Sequence, residues 1–163
     1  MHDFHPDSDK PDLPNFKVVN ETLLRGGQPT GAGLDQLKRK GVTTVINLRE
    51  ESASIEFEKE ICLTKGLDFV SIPLRPFDIP SPESLERFLA IIQTIDSQPC
   101  FVHCLHGMDR TGLAIGLYRL KVDDWNFEQA YEEMLAMGFH EAFSNLTKPL
   151  IDLAQELNKV PFS

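Results

Sequence analysis

Cysteine is scarce in this chain of 163 residues, which contains only Cys62, Cys100 and Cys104. An odd set of three does not make a disulfide framework, and the spacing is not that of a metal site. A fold held together by disulfides or by a cysteine-bound metal is therefore excluded. At least Cys104 is expected to be a free thiol, which favours a reducing compartment. Cys100 is expected to pack in the core.

Long apolar runs are also absent. No stretch approaches the roughly eighteen apolar residues of a membrane span, and no signal-peptide pattern opens the chain. Residues 1–15 are rich in Asp and Pro and are expected to form a flexible leader, followed by one domain, residues 16–163. A monomer is favoured over an oligomer. We expect a cytoplasmic protein if Met1 is the natural start. We expect an exported protein if a signal peptide has been removed.

Basic residues are in the minority. The chain has 16 Lys and Arg against 25 Asp and Glu, and its net charge of −9 argues against nucleic acid as a partner. The charge is unevenly distributed, because residues 16–49 hold six basic and two acidic side chains, whereas residues 123–163 hold two basic and eight acidic ones. An anionic ligand would therefore approach a locally basic face.

Strand-like and helix-like segments alternate along the chain. This alternation predicts a single α/β domain with a central, mostly parallel sheet covered by helices on both faces. Strands are predicted at residues 16–19, 23–25, 42–48, 67–72 and 99–103, with the first two as a hairpin. Helices are predicted at residues 30–40, 51–65, 82–95, 111–122, 126–137 and 140–158, and Thr30 is expected to cap the first. The apolar face of the second helix is expected to consist of Ile55, Ile61 and Leu63, and that of the third of Leu85, Phe88, Leu89, Ile92 and Ile95.

Residues 103–112 read His-Cys-Leu-His-Gly-Met-Asp-Arg-Thr-Gly, between a predicted strand and a predicted helix. A helix N-terminus offers unpaired N–H groups and a positive dipole, so the loop is suited to hold a tetrahedral oxyanion. The same field favours the thiolate form of Cys104, which is the nucleophile. Arg110 can bind two phosphate oxygens with its planar fork. Gly107 allows a backbone conformation that turns N–H groups inward.

These residues resemble the His-Cys-x5-Arg-Ser/Thr loop of the cysteine-dependent phosphatases, which include the tyrosine and dual-specificity phosphatases. Residues 24–29, 45–49 and 125–130 resemble small bacterial and fungal members of the dual-specificity group. The resemblance implies a phosphomonoester hydrolase that forms a phospho-cysteine intermediate and needs neither a metal nor a cofactor. It implies that Thr111 donates a hydrogen bond to the sulfur, that His103 orders the loop, and that phosphate is bound by Arg110 and by the loop residues Leu105, His106, Gly107, Met108 and Asp109. Rhodanese-type sulfurtransferases and non-catalytic phosphate-binding modules are remote alternatives.

Two carboxylic acids are candidates for the proton donor to the leaving group. Residues 75–82, Arg-Pro-Phe-Asp-Ile-Pro-Ser-Pro, form a proline-rich loop between a predicted strand and a predicted helix, and we call this segment the acid loop. Its Asp78 lies 26 residues before Cys104, as in cysteine phosphatases that carry the acid on a mobile loop, and it is the first choice. Asp109 is the alternative, since its loop resembles that of the myotubularin phosphatases.

The substrate is expected to be an anionic phosphorylated small molecule. The most specific resemblance is to bacterial tyrosine-phosphatase-like inositol polyphosphatases, the phytases. Four cationic or histidine side chains, Arg25, Arg49, Arg75 and His106, are expected near the pocket, and several phosphates need several cations. Inositol polyphosphate is therefore the predicted substrate, and a dual-specificity or tyrosine protein phosphatase is the alternative.

Overall fold

The computed structural model describes residues 11–160. Its five strands are β1 (Lys17–Asn20), β2 (Leu23–Gly26), β3 (Thr44–Asn47), β4 (Asp68–Ser71) and β5 (Cys100–His103). Its six α-helices are α1 (Gly31–Arg39), α2 (Ser52–Lys65), α3 (Pro82–Ile92), α4 (Arg110–Lys121), α5 (Phe127–Ala136) and α6 (Ser144–Glu156). The predicted elements are all present, and β3, β4 and β5 are shorter than the sequence pattern indicates by three, two and one residues, respectively.

The strands form one sheet in the order β1-β2-β5-β3-β4. Strand β1 pairs antiparallel with β2, and all other pairs are parallel, which confirms the predicted mostly parallel α/β sheet. In the register of the three central strands, Gly26 and Asn47 both lie beside His103. The segments that follow these three residues therefore meet at one edge of the sheet, where open α/β sheets bind ligands.

Alternate strand residues face opposite sides of the sheet, and each side has its own helices. Leu24, Val45 and Phe101 pack with residues of α1 and α2. Leu23, Ile46 and Val102 face α3 and α4 on the other side. Helices on both faces bury the three central strands, β2, β5 and β3, completely, whereas the outer strands β1 and β4 keep exposed residues.

Helix α4 carries the C-terminal end of the motif, and ten of its twelve residues are buried. Ala114 and Ile115 pack towards the sheet, whereas Leu113 and Leu117 pack against α5 and α6. A helix that is apolar on every side is stable only between two packed layers. Helices α5 and α6 therefore form an outer layer over α4.

Local sequence explains where several helices begin. The Thr30 side chain accepts a hydrogen bond from the Gly33 N–H at the start of α1, as predicted. Ser81 caps α3 in the same way, with Pro82 in the first turn. Asn126 and Gln129 form a reciprocal capping box at the start of α5.

Two predicted core positions are wrong. Ile95 was expected to extend the apolar face of α3, but that helix ends at Ile92 and Ile95 is exposed in a short 3-10 turn. Leu63 was expected to face the core from α2, but it is exposed and the helix buries Glu58 and Cys62 instead. The buried face of α2 is thus rotated towards a carboxylate that the apolar pattern does not reveal.

The part of the expected leader that the structure describes packs on the domain. The Pro14 carbonyl accepts a hydrogen bond from the Gly27 N–H, and the Asp12 carbonyl accepts one from the Thr30 N–H. Leu13 joins the apolar cluster under α1. Residues 11–15 therefore belong to the folded body, and the rest of the expected leader, residues 1–10, lies outside the described residues. Between residues 11 and 160, no helix has both the length and the apolar character needed to cross a membrane.

Candidate active site

The signature loop, residues 104–110, connects the end of β5 to the start of α4. The Cys104 sulfur is buried and accepts hydrogen bonds from the Gly107 N–H at 3.3 Å and from the Thr111 Oγ1 hydroxyl at 3.1 Å. Donors that point at the sulfur stabilise its anionic form. The predicted contact between Thr111 and the nucleophile is therefore present.

Gly107 has a φ of +77°, which places it in the left-handed region. A Cβ built on Gly107 would lie 2.5 Å from the backbone carbon of Gly26 and 2.5 Å from the nitrogen of Gly27. No side chain fits there. The turn after β2 thus packs directly against the signature loop, backbone to backbone.

Arg110 closes the signature loop as the first residue of α4 and is almost fully buried. One guanidinium nitrogen donates to the Leu74 carbonyl at 3.0 Å. Leu74 immediately precedes the acid loop. This contact fixes the planar fork of Arg110 and ties the signature loop to the segment that carries Asp78.

His103 is fully buried beneath the loop, where the resemblance predicts a supporting residue. Its Nδ1 lies 3.1 Å from the Cys104 carbonyl oxygen, and its Nε2 lies 2.8 Å from the Glu58 carboxylate. Both ring nitrogens therefore lie within hydrogen-bond distance of oxygen atoms. His103 links the backbone of Cys104 to a buried acid on α2.

Glu58 was missed by the sequence analysis. Besides His103, its carboxylate accepts hydrogen bonds from Asn47 at 2.8 Å and Gln28 at 2.9 Å. Burial on its own would raise the pKa of Glu58, but His103 and the two amide donors outweigh it and hold that pKa below its usual value. The available sequence signal was a charged residue three positions after Ile55 and three before Ile61, on the expected apolar face of α2.

Arg25 does not lie at the mouth of the pocket as expected. It is 1% exposed, and its guanidinium donates to the Gly107 carbonyl at 3.1 Å from below the loop. Burial lowers the pKa of Arg25. Within residues 11–160, its Nε is the one buried side-chain nitrogen or oxygen without a hydrogen-bond partner. Arg25 supports the loop and cannot bind an outer phosphate.

The other two candidate arginines differ from each other. The Arg49 side chain is 15% exposed, and its guanidinium is held by Glu51 at 3.1 Å and Gln28 at 2.9 Å. The Arg75 side chain is 72% exposed and lies 3.4 Å from Glu50 and 3.5 Å from Asp78. Of the three arginines predicted to bind outer phosphates, Arg25, Arg49 and Arg75, only Arg75 presents its charge to solvent.

The two candidate acids also have different surroundings. The Asp78 side chain is 61% exposed on the acid loop, and its contact is the long ion pair with Arg75. The Asp109 side chain is 14% exposed and accepts hydrogen bonds from the His140 backbone N–H at 2.7 Å and from the His140 ring at 3.0 Å. Asp109 is thus hydrogen-bonded to the connection between α5 and α6, residues 137–143.

The two remaining cysteines are buried in the core. Burial raises the pKa of Cys62 to about 12 and that of Cys100 to about 11. Thiols with such values are neutral and inert near pH 7. The expected packing role of Cys100 agrees with its position among the core residues of the sheet.

A parallel α/β sheet with a Cys-x5-Arg-Thr loop at a helix N-terminus defines the class of the cysteine-dependent phosphatases. Residues 8–147 match the family described as a dual-specificity and tyrosine phosphatase domain fused to NAD+ kinase, and the chain belongs to this family.

Sequence relatives agree with this assignment. The dual-specificity protein phosphatase TpbA of Pseudomonas aeruginosa strain UCBPP-PA14 is 27% identical over 125 residues, which is 77% of this chain and 55% of TpbA. The OCA1 protein of Yarrowia lipolytica is 32% identical over 124 residues, which is 73% of this chain and 48% of that protein. The chain thus spans about half the length of these curated relatives.

Solved structures show the same fold. The crystal structure of P. aeruginosa TpbA has a TM-score of 0.72 at 21% identity and covers 92% of this chain and 99% of that one. The catalytic domain of the PP-IP phosphatase Siw14 from S. cerevisiae, in complex with citrate, has a TM-score of 0.71 at 19% identity and covers 93% and 97%.

The buried pair of Glu58 and His103 generates a prediction about stability. Glu58→Gln replaces the buried carboxylate that is hydrogen-bonded to Asn47, Gln28 and His103 with an amide that cannot accept all three bonds, and should lower the free energy of unfolding at pH 7 by about 1–3 kcal/mol. Because the folded-state pKa of Glu58 is depressed, its contribution is complete above the unfolded pKa of about 4.3 and is lost as the pH falls through the folded value. The difference between wild type and variant should therefore shrink below about pH 4.

Urea unfolding at several pH values measures this difference. Glu56→Gln, an exposed position on the same helix, is the matched control and should have little effect. A loss that is equal in both variants, or that does not change with pH, would contradict the role of Glu58.

Proposed function

We propose that the protein hydrolyses phosphate monoesters through a phospho-cysteine intermediate. The observation that carries this proposal is the Cys104 sulfur, which receives two hydrogen bonds inside a loop closed by Arg110. The thiolate attacks phosphorus, the S–P bond forms, and the ester P–O bond breaks as the leaving oxygen takes a proton from an acid. Water then attacks phosphorus, and the S–P bond breaks to release inorganic phosphate and the thiolate.

The surrounding geometry supports both steps. The loop N–H groups lie at the N-terminus of α4, where they and the helix dipole favour the charge of the transition state. The fork of Arg110 is fixed in advance by its bond to Leu74, so little ordering is needed during the reaction. The hydroxyl of Thr111 stabilises the thiolate as it leaves in the second step.

Asp78 is the proposed proton donor. Its carboxyl group is exposed on a loop that adjoins the guanidinium of Arg110 through Leu74, so it can reach a substrate oxygen. The competing Asp109 accepts hydrogen bonds from His140 through both carboxylate oxygens. A carboxylate held as an acceptor is poorly placed to carry the proton.

The side chains around the signature loop favour a substrate with one phosphate on an apolar carrier. Phe77, Ile79 and Leu105 are exposed apolar residues on the acid loop and the signature loop. Arg75 is the one exposed guanidinium among the arginines predicted to bind substrate, and it is shared with two carboxylates. A phosphotyrosyl segment of a protein would cover these apolar side chains, and TpbA, which shares the fold, has been crystallised with phosphotyrosine.

Inositol polyphosphate, the substrate predicted from the sequence, is the second candidate. Arg75 and His106 are exposed and could each bind an outer phosphate. The fold shared with the PP-IP phosphatase Siw14 supports this candidate. The burial of Arg25 and the pairing of Arg49 argue against inositol polyphosphate, because two of the four side chains expected to bind its phosphates are bonded within the protein instead.

Replacement of the nucleophile tests the covalent mechanism. Cys104→Ser should abolish release of phosphate from para-nitrophenyl phosphate while binding of inorganic phosphate, measured by calorimetry, is retained, since serine keeps the loop but is a far weaker nucleophile. Cys100→Ser is the matched control and should remain active, because a hydroxyl can keep the bond that Cys100 donates to the Ser97 carbonyl. Appreciable turnover by Cys104→Ser would exclude the phospho-cysteine intermediate.

The assignment of the acid is tested by leaving-group dependence. Asp78→Asn should lower kcat by about 10²–10⁴-fold for phenyl phosphate, a poor leaving group, and much less for para-nitrophenyl phosphate, which needs little protonation. Asp109→Asn should affect the two substrates equally. If only Asp109→Asn discriminates between them, Asp109 is the donor.

The substrate candidates are separated by two single replacements. We expect a higher kcat/KM for a phosphotyrosyl peptide with apolar flanking residues than for inositol hexakisphosphate at about 0.15 M salt. Phe77→Ala should lower kcat/KM for the peptide by about tenfold, because one aromatic contact with the bound peptide is lost. It should have little effect on kcat/KM for inositol hexakisphosphate. Arg75→Ala should lower kcat/KM for inositol hexakisphosphate and have little effect on kcat/KM for the peptide. Preference for inositol hexakisphosphate, abolished by Arg75→Ala, would instead establish the second candidate.

A further inference from the structure

The connection between α5 and α6 contacts both catalytic loops. On one side, His140 binds Asp109 of the signature loop through its backbone N–H and its ring. On the other side, the Phe143 ring lies 5.2 Å from the Phe77 ring of the acid loop. The two loops are thus linked through a third segment that follows the motif by about thirty residues in the chain.

Asn145, in the first turn of α6, makes the most specific of these contacts. Its Nδ2 donates to the Pro76 carbonyl at 2.7 Å and to the Asp78 carbonyl at 2.9 Å. Both amide hydrogens are therefore used on the acid loop, on the two residues that flank Phe77. The second bond is made to the backbone of the proposed acid itself.

The acid loop has few other means of holding this conformation. Pro76 and Pro80 have no N–H to donate, and the side chains of Phe77, Asp78 and Ile79 are largely exposed. Within the described chain, the Asp78 N–H makes one long backbone bond, to Arg75 at 3.4 Å. A loop of this kind samples many conformations unless an outside group selects one.

We infer that Asn145 is a positioning residue that holds the acid loop so that Asp78 can protonate the leaving group. The inference rests on the proposed phosphatase activity and on Asp78 as its acid. Asn145 does not touch the reacting atoms. It acts by keeping the Asp78 backbone at a fixed place relative to α6, which is packed on α4 and hence on the signature loop.

The test compares Asn145→Ala and Asn145→Asp with wild type on phenyl phosphate and para-nitrophenyl phosphate. Loss of the two hydrogen bonds should lower kcat for phenyl phosphate by about ten- to a hundredfold. This is smaller than the full contribution of a general acid, about 10²–10⁴-fold, because Asp78 itself is still present. The value for para-nitrophenyl phosphate should change by less than about threefold, since chemistry with that leaving group depends little on the acid. Asn145→Asp should show the larger defect, because a carboxylate would face two carbonyl oxygens.

Asn126→Ala is the matched control. It removes an asparagine that also makes side-chain hydrogen bonds at a helix start, the capping box of α5, away from the acid loop. It should lower the melting temperature without any dependence on the leaving group. Should Asn145→Ala fail to fold, Asn145→Ser gives the same comparison, since serine is well tolerated near a helix N-terminus.

A double replacement separates this inference from the proposed function. In an Asp78→Asn background, Asn145→Ala should cause no further loss on phenyl phosphate, because the group it positions is already removed. If Asp78→Asn shows no leaving-group dependence, the proposed acid is wrong and the inference falls with it. If Asp78→Asn discriminates and Asn145→Ala does not, or if Asn145→Ala lowers both substrates equally, the positioning role alone is overturned.

Discussion

The turn after β2 and the signature loop approach each other so closely that no side chain fits between their backbones. Gly107 meets Gly26 and Gly27 there, and its positive φ turns its N–H to the Cys104 sulfur and its carbonyl away. The outward carbonyl accepts hydrogen bonds from Arg25 and Asn15, each at 3.1 Å. The loop conformation around Cys104 is thus fixed through both backbone groups of one residue, Gly107.

The positive charge of the site is buried, although the chain as a whole is acidic. Arg25 and Arg110 lie almost wholly inside the protein, and His103 is paired with Glu58. Charges in such positions are screened little by salt, whereas the exposed ion pairs of Arg75 are screened strongly. Binding of a phosphate by Arg110, as proposed, would therefore depend little on salt, whereas contacts of Arg75 with the rest of a substrate would depend on it strongly.

Much of this arrangement could be predicted from the sequence, because the signature loop, the alternation of elements and the helix caps are local patterns. The burial of Arg25 could not, since an arginine near the end of a short strand has the same local pattern whether its side chain is buried or exposed. Glu58 and Asn145 act over 45 and 67 residues of chain on His103 and Asp78, and a single sequence carries no trace of such pairings. The apolar face of α2 was misjudged for the same reason, because its buried carboxylate is acceptable only once Asn47, Gln28 and His103 surround it.

Helix α4 is enclosed by the sheet on one side and by α5 and α6 on the other. It cannot shift without disturbing both cores, so the signature loop at its N-terminus is held on a fixed support. The acid loop and the connection from α5 to α6 lie outside that core and contact each other. Replacements in these two peripheral segments can therefore alter which phosphate carrier the proposed site accepts without disturbing the support of the signature loop.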